Sequence, residues 1–422
     1  MRMRGPLASA ASTMPPLPTT TRSITVHEPP RRFPPADGSG GDGRPAHHLD
    51  DTRTKFGNPW SSFRFQEPAQ WVSMIYNNAV HSPPVPPDIK SAIPTQAPTW
   101  GHAPGTLHAA KATWLGHACY LVELPAPPGA ARGPRIIFDP VFSKRCSPSK
   151  LLGPARYTDP PCKVEDVPPV DLIVLSHNHY DHTDIPTLRA LTPTPDRTRT
   201  HPHIFVPLNN ATPLRPLLPH PSSRAPEPER IHELDWWDER VVRLSLPGAL
   251  APPGREKAPP AVEAQLRITC APSQHTSGRT GLDRWAALWA AWVVYFAGDT
   301  GYRTVDGASE EERMEALERA APCCPAFREA GERFGGVDVA LVPIGAYAPR
   351  AMWSNLHASP ADAVRIMQDV RARRALAMHW GTWVLTTEPV LEPPALLRRE
   401  CEKAGVGADE FLVPALGETV LF

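Results

Sequence analysis

This chain has no Cys-x-x-Cys pair, no long hydrophobic run and no excess of charge of either sign. Its seven cysteines, an odd number scattered from Cys119 to Cys401, supply no disulfide framework and point to reduced thiols in an intracellular compartment. The most apolar stretch, Ala286 to Gly298, falls short of the roughly 20 residues that cross a bilayer. A cytoplasmic protein, or one peripheral on internal membranes, is therefore expected. Basic and acidic residues both total 44, which removes any global reason to expect a nucleic-acid partner. At 422 residues the length permits either two domains or one large α/β domain with insertions.

Residues 1–55 are rich in Pro, Gly, Ser, Thr and Arg and lack periodic apolar positions, so they read as a disordered tail. Arg2, Arg4 and Arg22 give that tail some likeness to an organelle-targeting peptide, which Pro15, Pro16 and Pro18 work against. Residues 56–422 then form the folded body. Aromatics return between Phe56 and Tyr76 in what reads as an extended arm lying on the core. Strands are predicted at Ala112–Ala118, Cys119–Leu124, Arg135–Pro140 and Asp171–Leu175, then at Ile204–Val206, Val241–Leu244 and Leu266–Cys270. Val293–Ala297, Val337–Val342 and Ala375–Met378 complete the series. Pro-rich insertions interrupt it near 193–228 and 247–260, and Glu310–Arg319 reads as a charged helix. Ser359-Pro360-Ala361-Asp362 opens another helix, with an N-cap serine and proline at the first helical position.

The densest chemistry lies in Ser176-His177-Asn178-His179-Tyr180-Asp181-His182, directly after the apolar run 171–175 and before the helix-start residues Thr183–Pro186. A strand-to-helix turn lets side chains one and two residues apart converge, so this motif reads as half of a two-metal site. His275, Asp299 and His379 each follow a predicted strand, where a site on the rim of a sheet needs them. Imidazole and carboxylate donors without thiolate suit zinc, with iron or manganese as the other readings. The expected sharing gives His177, His179 and His275 to one Zn²⁺ and Asp181, His182 and His379 to a second, with Asp299 between them. Two such ions about 3.5–4 Å apart lower the pKa of a shared water, which is hydrolytic chemistry.

Motif, later ligands and alternating strands together resemble the metallo-β-lactamase superfamily. Within it they resemble the N-acyl-phosphatidylethanolamine-hydrolysing phospholipase D family. Blocks that carry the narrower likeness include Thr113–Ala118, Asp139–Ser143, Gly153–Tyr157, Leu288–Trp292, Phe296–Tyr302, Pro343–Tyr347 and His379–Thr382. The resemblance covers roughly residues 56–390. It implies an α/β fold of the αββα sandwich type, two Zn²⁺ per chain, and cleavage of a membrane phospholipid to phosphatidic acid and an N-acylethanolamine. It also implies that His357 stands near the substrate phosphate, alongside catalytic Asp181 and Asp299. The other reading of His357 is a residue that orders the start of the Ser359 helix. A runner-up function is a hydrolase of the same fold acting on a soluble phosphodiester, a sugar-phosphate lactone or RNA. A metal-free lipid-binding scaffold would require lost ligands, and none is missing.

Around these ligands, Asp139, His117 and Asp184 are candidates to hold a ligand imidazole by its free nitrogen, with a cap on the following helix as the other reading of Asp184. Tyr180 is a candidate for the cleft wall. Leu356, Lys144 and Lys150 depart from the family pattern, Leu356 by replacing a polar amide beside His357 and the two lysines by raising the expectation of cations near the phosphate. Trp285, Trp289 and Trp292 share a helical face and read as core, with lipid contact as the other reading. Peripheral membrane contact is expected from the implied substrate, no nucleic acid is expected, and a homodimer is left open.

Overall fold

The computed structural model describes residues 23–30, 32, 44–65, 68–192, 201–218, 230–249, 260–280, 282–305 and 320–422. Most of the expected tail, much of both Pro-rich insertions and the Glu310–Arg319 helix lie outside the described residues. One seven-stranded sheet is built from β2 (Lys111–Gly116), β3 (Cys119–Glu123), β4 (Arg135–Phe138), β5 (Leu172–Val174), β6 (His203–Pro207), β7 (Ile231–Leu234) and β15 (Thr419–Leu421). An eight-stranded sheet holds β1 (Ile24–His27), β8 (Glu239–Leu246), β9 (Val262–Ala271), β10 (Ala291–Val293), β11 (Tyr295–Phe296), β12 (Val337–Pro343), β13 (Ala372–Met378) and β14 (Phe411–Leu412). In each sheet an antiparallel half meets a parallel half: β4, β5, β6 and β7 run parallel in one, and β11, β12, β13 and β14 in the other.

Side-chain alternation decides which residues lie between the sheets. Ile136, Phe138, Leu172 and Val174 belong to the central core, while Ile137, Ile173 and Leu175 face the opposite layer with Leu188. Both faces of β4 and β5 are covered, which explains why those runs are apolar throughout. Phe138 and Phe296 stack across the interface with centroids 4.8 Å apart. Polar ties cross it as well: the Tyr120 hydroxyl donates to the Ala377 carbonyl at 2.8 Å, and Trp292 Nε1 donates to the Leu175 carbonyl at 3.0 Å. At the start of β5, Arg132 forks onto Asp171 with bonds of 2.6 and 2.7 Å, fixing the strand that carries the histidine motif.

Helices cover the outer faces and complete an αββα sandwich. Helix α1 (Pro68–His81) and α2 (Ile185–Leu191) precede α3 (Ala326–Phe334), α4 (Pro360–Asp369) and α5 (Glu392–Ala404). Leu188 of α2 packs in the outer core of the seven-stranded sheet, and Phe327, Ile366 and Leu397 pack against the other sheet. Helix α4 starts with the expected cap: Ser359 and Asp362 bond reciprocally through side chain and backbone.

Four expectations change. Ile24–His27, inside the expected disordered tail, adds β1 to the edge of the sheet by pairing with β8, because its exposed edge amides find a partner there. His47 and His48, also in that stretch, are buried. The extended arm contains α1. No helix carries Trp285, Trp289 and Trp292; Trp289 and Trp292 are buried core, with Trp289 Nε1 donating to the Ser273 carbonyl at 2.8 Å.

Phe138→Ala should cost about 3–5 kcal/mol of stability in denaturant titration, because it empties the intersheet core. Val72→Ala, at an exposed position of α1, should stay within about 0.5 kcal/mol.

Candidate metal centre and active-site cleft

The ends of β5, β9, β11 and β13 converge on one rim, and the turns beyond them carry the ligand candidates. Donor atoms of His177, His179 and His275 form one group, and those of His117, Asp181, His182 and His379 another, each within 4.8 Å of one another. Asp299 stands between the groups. Its Oδ1 is 2.9 Å from His379 Nε2, and its Oδ2 is 3.2 Å from His182 Nε2, 3.7 Å from His275 Nε2 and 4.0 Å from His177 Nε2. The residues expected to share two ions are thus brought together in the expected halves.

Each imidazole is turned by what holds its other nitrogen. His182 Nδ1 donates to Asp139 Oδ2 at 2.7 Å. His275 Nδ1 donates to the Leu356 carbonyl at 2.9 Å. His177 Nδ1 lies 2.9 Å from Ser176 Oγ, which donates in turn to Asp139 at 2.5 Å. His117 Nε2 donates to Asp181 Oδ2 at 3.0 Å, so His117 orients a carboxylate instead of a histidine. Ser176 is the residue whose role the motif alone did not reveal: its backbone and hydroxyl both anchor Asp139, the carboxylate behind His182.

The backbone bends sharply to present these groups. His117, Asp139 and His379 sit at φ of 51°, 38° and 62°, the left-handed region that costs a non-glycine residue about 1–3 kcal/mol. Gly298 precedes Asp299 because a Cβ there would stand 2.6 Å from the Ser176 Cβ. The glycine thus serves a close approach of two chain segments.

Do these residues fit a cation? Buried His182 Nε2, His379 Nε2 and Asp299 Oδ1 make no hydrogen bond although they face one another, and His177 Nε2 stands 2.8 Å from His179 Nδ1. Such crowding of buried nitrogens and oxygens suits positive ions among them. Burial opposes protonation of His182, but Asp299, Asp181 and Asp139 outweigh it and hold its pKa well above the ordinary value. Burial likewise opposes protonation of His379, while Asp299 and Asp181 raise it to about 9. Burial alone would raise Asp299, yet His182 and His379 hold it well below the usual carboxylate range. Protons thus occupy, in the metal-free chain, places that a cation would take.

A cleft of about 400 Å³ opens on this centre. His179, Asp181, His275, Asp299 and His357 stand in it beside apolar Ala346, Trp353, Leu356 and Leu385, with Arg279 and Arg284 on one side. His357 Nδ1 is 3.9 Å from Asp299 Oδ2 and makes no hydrogen bond, so its ring does not hold the start of α4. Burial pushes its pKa down to about 4 despite Asp299, leaving it neutral at pH 7.

Four neighbouring residues fall elsewhere. Asp184 takes bonds from the Phe142 and Ser143 amides, the Ser143 hydroxyl and Thr187 Oγ1, so it fastens the loop after Asp139 and touches no ligand. Tyr180 does not line the cleft; its ring lies 3.8 Å from the Arg279 guanidinium carbon, whose Nη1 donates to the Asn178 and Thr183 carbonyls. Lys144 and Lys150 are exposed away from the cleft, because Arg156 binds the Ser143 and Val141 carbonyls and fixes their loop outside it. Cations do reach the cleft, but they are Arg279 and Arg284. Their signal in the sequence is slight: two arginines, five positions apart and with Asp283 between them, in the segment after His275.

A family model described as the beta-lactamase superfamily domain matches residues 134–380. The chain belongs to this superfamily. Among curated proteins it is similar to N-acyl-phosphatidylethanolamine-hydrolyzing phospholipase D 1 of Caenorhabditis elegans, 34% identical over 293 residues that cover 67% of each chain. It is also 31% identical, over 320 residues, to the mitochondrial N-acyl-phosphatidylethanolamine-hydrolyzing phospholipase D of Saccharomyces cerevisiae, covering 74% of this chain and 55% of that one. Among solved structures, a metallo hydrolase of the archaeon Ignicoccus hospitalis KIN4/I aligns with TM-score 0.42 and 20% identity, over 74% of this chain and 98% of that one. Fold, family and clustered donors make this protein a metal-dependent hydrolase.

Two outcomes test the centre. Asp139→Asn should weaken metal affinity about 10–100-fold with the fold retained, as read by dialysis against a buffered metal; unchanged affinity would remove Asp139 from its role behind His182. Loading the metal-free protein with zinc at pH 7 should release protons from His182 and His379. Affinity should therefore fall as pH drops below about 9, and a pH-stat showing no release would contradict it.

Proposed function

We propose that this chain is a zinc-dependent phosphodiesterase of phospholipase D type that hydrolyses N-acyl-phosphatidylethanolamine to phosphatidic acid and N-acylethanolamine. The observation that carries the reading is the cleft itself: carboxylate and imidazole donors at its floor, apolar Trp353, Leu356 and Leu385 on its wall, and two arginines at its side. That apolar wall, beside groups suited to a phosphate, fits a substrate that carries an acyl chain. Similarity to enzymes named for this reaction supports the same choice.

In the reaction a water oxygen bonds to phosphorus, the bond from phosphorus to the ethanolamine oxygen breaks, and the proton that the water gives up ends on that oxygen. Two zinc ions, held by His177, His179 and His275 and by Asp181, His182 and His379 with Asp299 between, would supply an activated water and offset phosphoryl charge. His357, neutral and partnerless at Nδ1, donates a hydrogen bond to a phosphoryl oxygen. Its low pKa argues against a role as proton donor at neutral pH. Arg279 and Arg284 attract the phosphate from the cleft side, and Arg279 also braces the motif turn from which His179 and Asp181 project.

Access to a lipid fits the surroundings. Val72, Tyr76 and Val80 lie exposed along α1 at four-residue spacing, and Asn78 of the same helix donates to the carbonyl of Leu385 in the cleft wall at 2.9 Å. Leu282, 98% exposed, stands between Arg279 and Arg284 in sequence. No helix among the described residues is long and apolar enough to cross a membrane, so contact through these side chains is peripheral.

Purified protein incubated with N-acyl-phosphatidylethanolamine should release phosphatidic acid and N-acylethanolamine, and release far less from phosphatidylcholine; no release from either would discard the lipid reading. His357→Ala should lower kcat by about 10²–10³ with metal content unchanged. Lost metal in that variant would make His357 a ligand.

A further inference from the structure

A further set of metal-ligating side chains converges away from the cleft. His47 and His48 meet Asp235, the residue after β7: His47 Nε2 is 2.7 Å from Asp235 Oδ1, and His48 Nε2 is 2.9 Å from Oδ2. We propose that His47, His48 and Asp235 bind a zinc ion, separate from the pair in the cleft.

Spacing supports the assignment. The three donor atoms fall within the same 4.8 Å limit as the two groups in the cleft, and their separations match the 2.8 Å between His177 Nε2 and His179 Nδ1 and the 2.9 Å between His379 Nε2 and Asp299 Oδ1. Chemistry supports it independently. His48 is 3% exposed, and its Nε2, although close to the carboxylate, is not aligned to bond it and has no hydrogen-bond partner. A buried polar atom in that condition is destabilising, and a cation between ring and carboxylate would satisfy it. A histidine–aspartate clamp accounts for His47 Nε2, which bonds Asp235, and pairs His48 with the same carboxylate by charge, but it leaves His48 Nε2 without an aligned hydrogen bond and His47 Nδ1 without a partner.

The donors are also held in place. His47 stacks on Trp236 with centroids 4.2 Å apart, and His48 meets the Phe56 ring edge-on at 5.4 Å. Asp235 is set by its own turn, in which its Oδ1 accepts the Trp236 amide at 2.8 Å and its amide donates to Asp238 at 3.1 Å. Two imidazoles and one carboxylate are a common zinc donor set, with the remaining position open to water.

Such an ion would fasten the N-terminal segment to the turn between β7 and β8. That segment continues to Asn58, whose Nδ2 donates to the His275 carbonyl at 2.8 Å, and to Ser62, whose hydroxyl donates to Gln274 Oε1 at 2.6 Å. Zinc at His47, His48 and Asp235 therefore steadies the chain that backs His275, acting on the cleft through position and not through chemistry.

Metal-free protein reconstituted with zinc, dialysed and counted by mass spectrometry tests this directly. Wild type should hold one equivalent more than His48→Gln, with the far-ultraviolet circular dichroism of the two alike; equal counts would overturn the assignment. Should His48→Gln fail to fold, cobalt titration of a variant that lacks ligands from both halves of the cleft site, His177→Ala/His182→Ala/His379→Ala, decides. One equivalent should still bind with the visible absorption of a nitrogen and oxygen site, and none would overturn the proposal. Neither count depends on turnover of a phospholipid, so this site and the proposed reaction fail separately.

Discussion

Asp299 faces two groups of imidazoles at once, with Oδ1 toward His379 and Oδ2 toward His182, His275 and His177. Around it, buried nitrogens and oxygens are aimed at one another, and several of them form no hydrogen bond. No distribution of protons satisfies such a cluster at low cost in the protein interior. Positive ions do. Much of the neighbouring structure exists to hold that unfavourable arrangement: Asp139 and Ser176 behind His182 and His177, the Leu356 carbonyl behind His275, and left-handed backbone at His117, Asp139 and His379.

The sandwich supplies the rigidity that this requires. Strand β5 is covered on both faces and pinned at its start by the Arg132–Asp171 fork, so the motif leaves it in a fixed direction. Opposite, β11 and β13 deliver Asp299 and His379 from the second sheet, and Phe138 stacked on Phe296 keeps the two sheets in register. A site assembled from two sheets depends on the core between them. A metal ion bound at the rim therefore stabilises the closed sandwich as well as the turns that hold it.

How much of this could be read from the chain followed physical scale. The strands were legible because apolar runs bounded by Gly and Pro have few alternatives, and the ligands because His-x-His-x-Asp-His has almost no purely structural use. Residues that act through contacts distant in sequence were not legible. Ser176 anchors Asp139 across 37 positions, and nothing local marks that pairing. Asp184 carries the right chemistry for a ligand's support but faces Ser143 and Phe142. Lys144 and Lys150 had the right charge and the wrong direction. The N-terminal segment misled for another reason: its composition lacks the apolar content to fold alone, yet β1 borrows its partner from β8 and His47 borrows burial from Trp236.

The central claim is a pair of metal ions shared by two halves of one site with Asp299 between them. Diffraction from crystals of the zinc-loaded protein, recorded on both sides of the zinc absorption edge, tests it most directly. Two anomalous peaks about 3.5–4 Å apart are predicted, one beside His177, His179 and His275 and the other beside Asp181, His182 and His379. A single peak, or none at Asp299, would contradict the account.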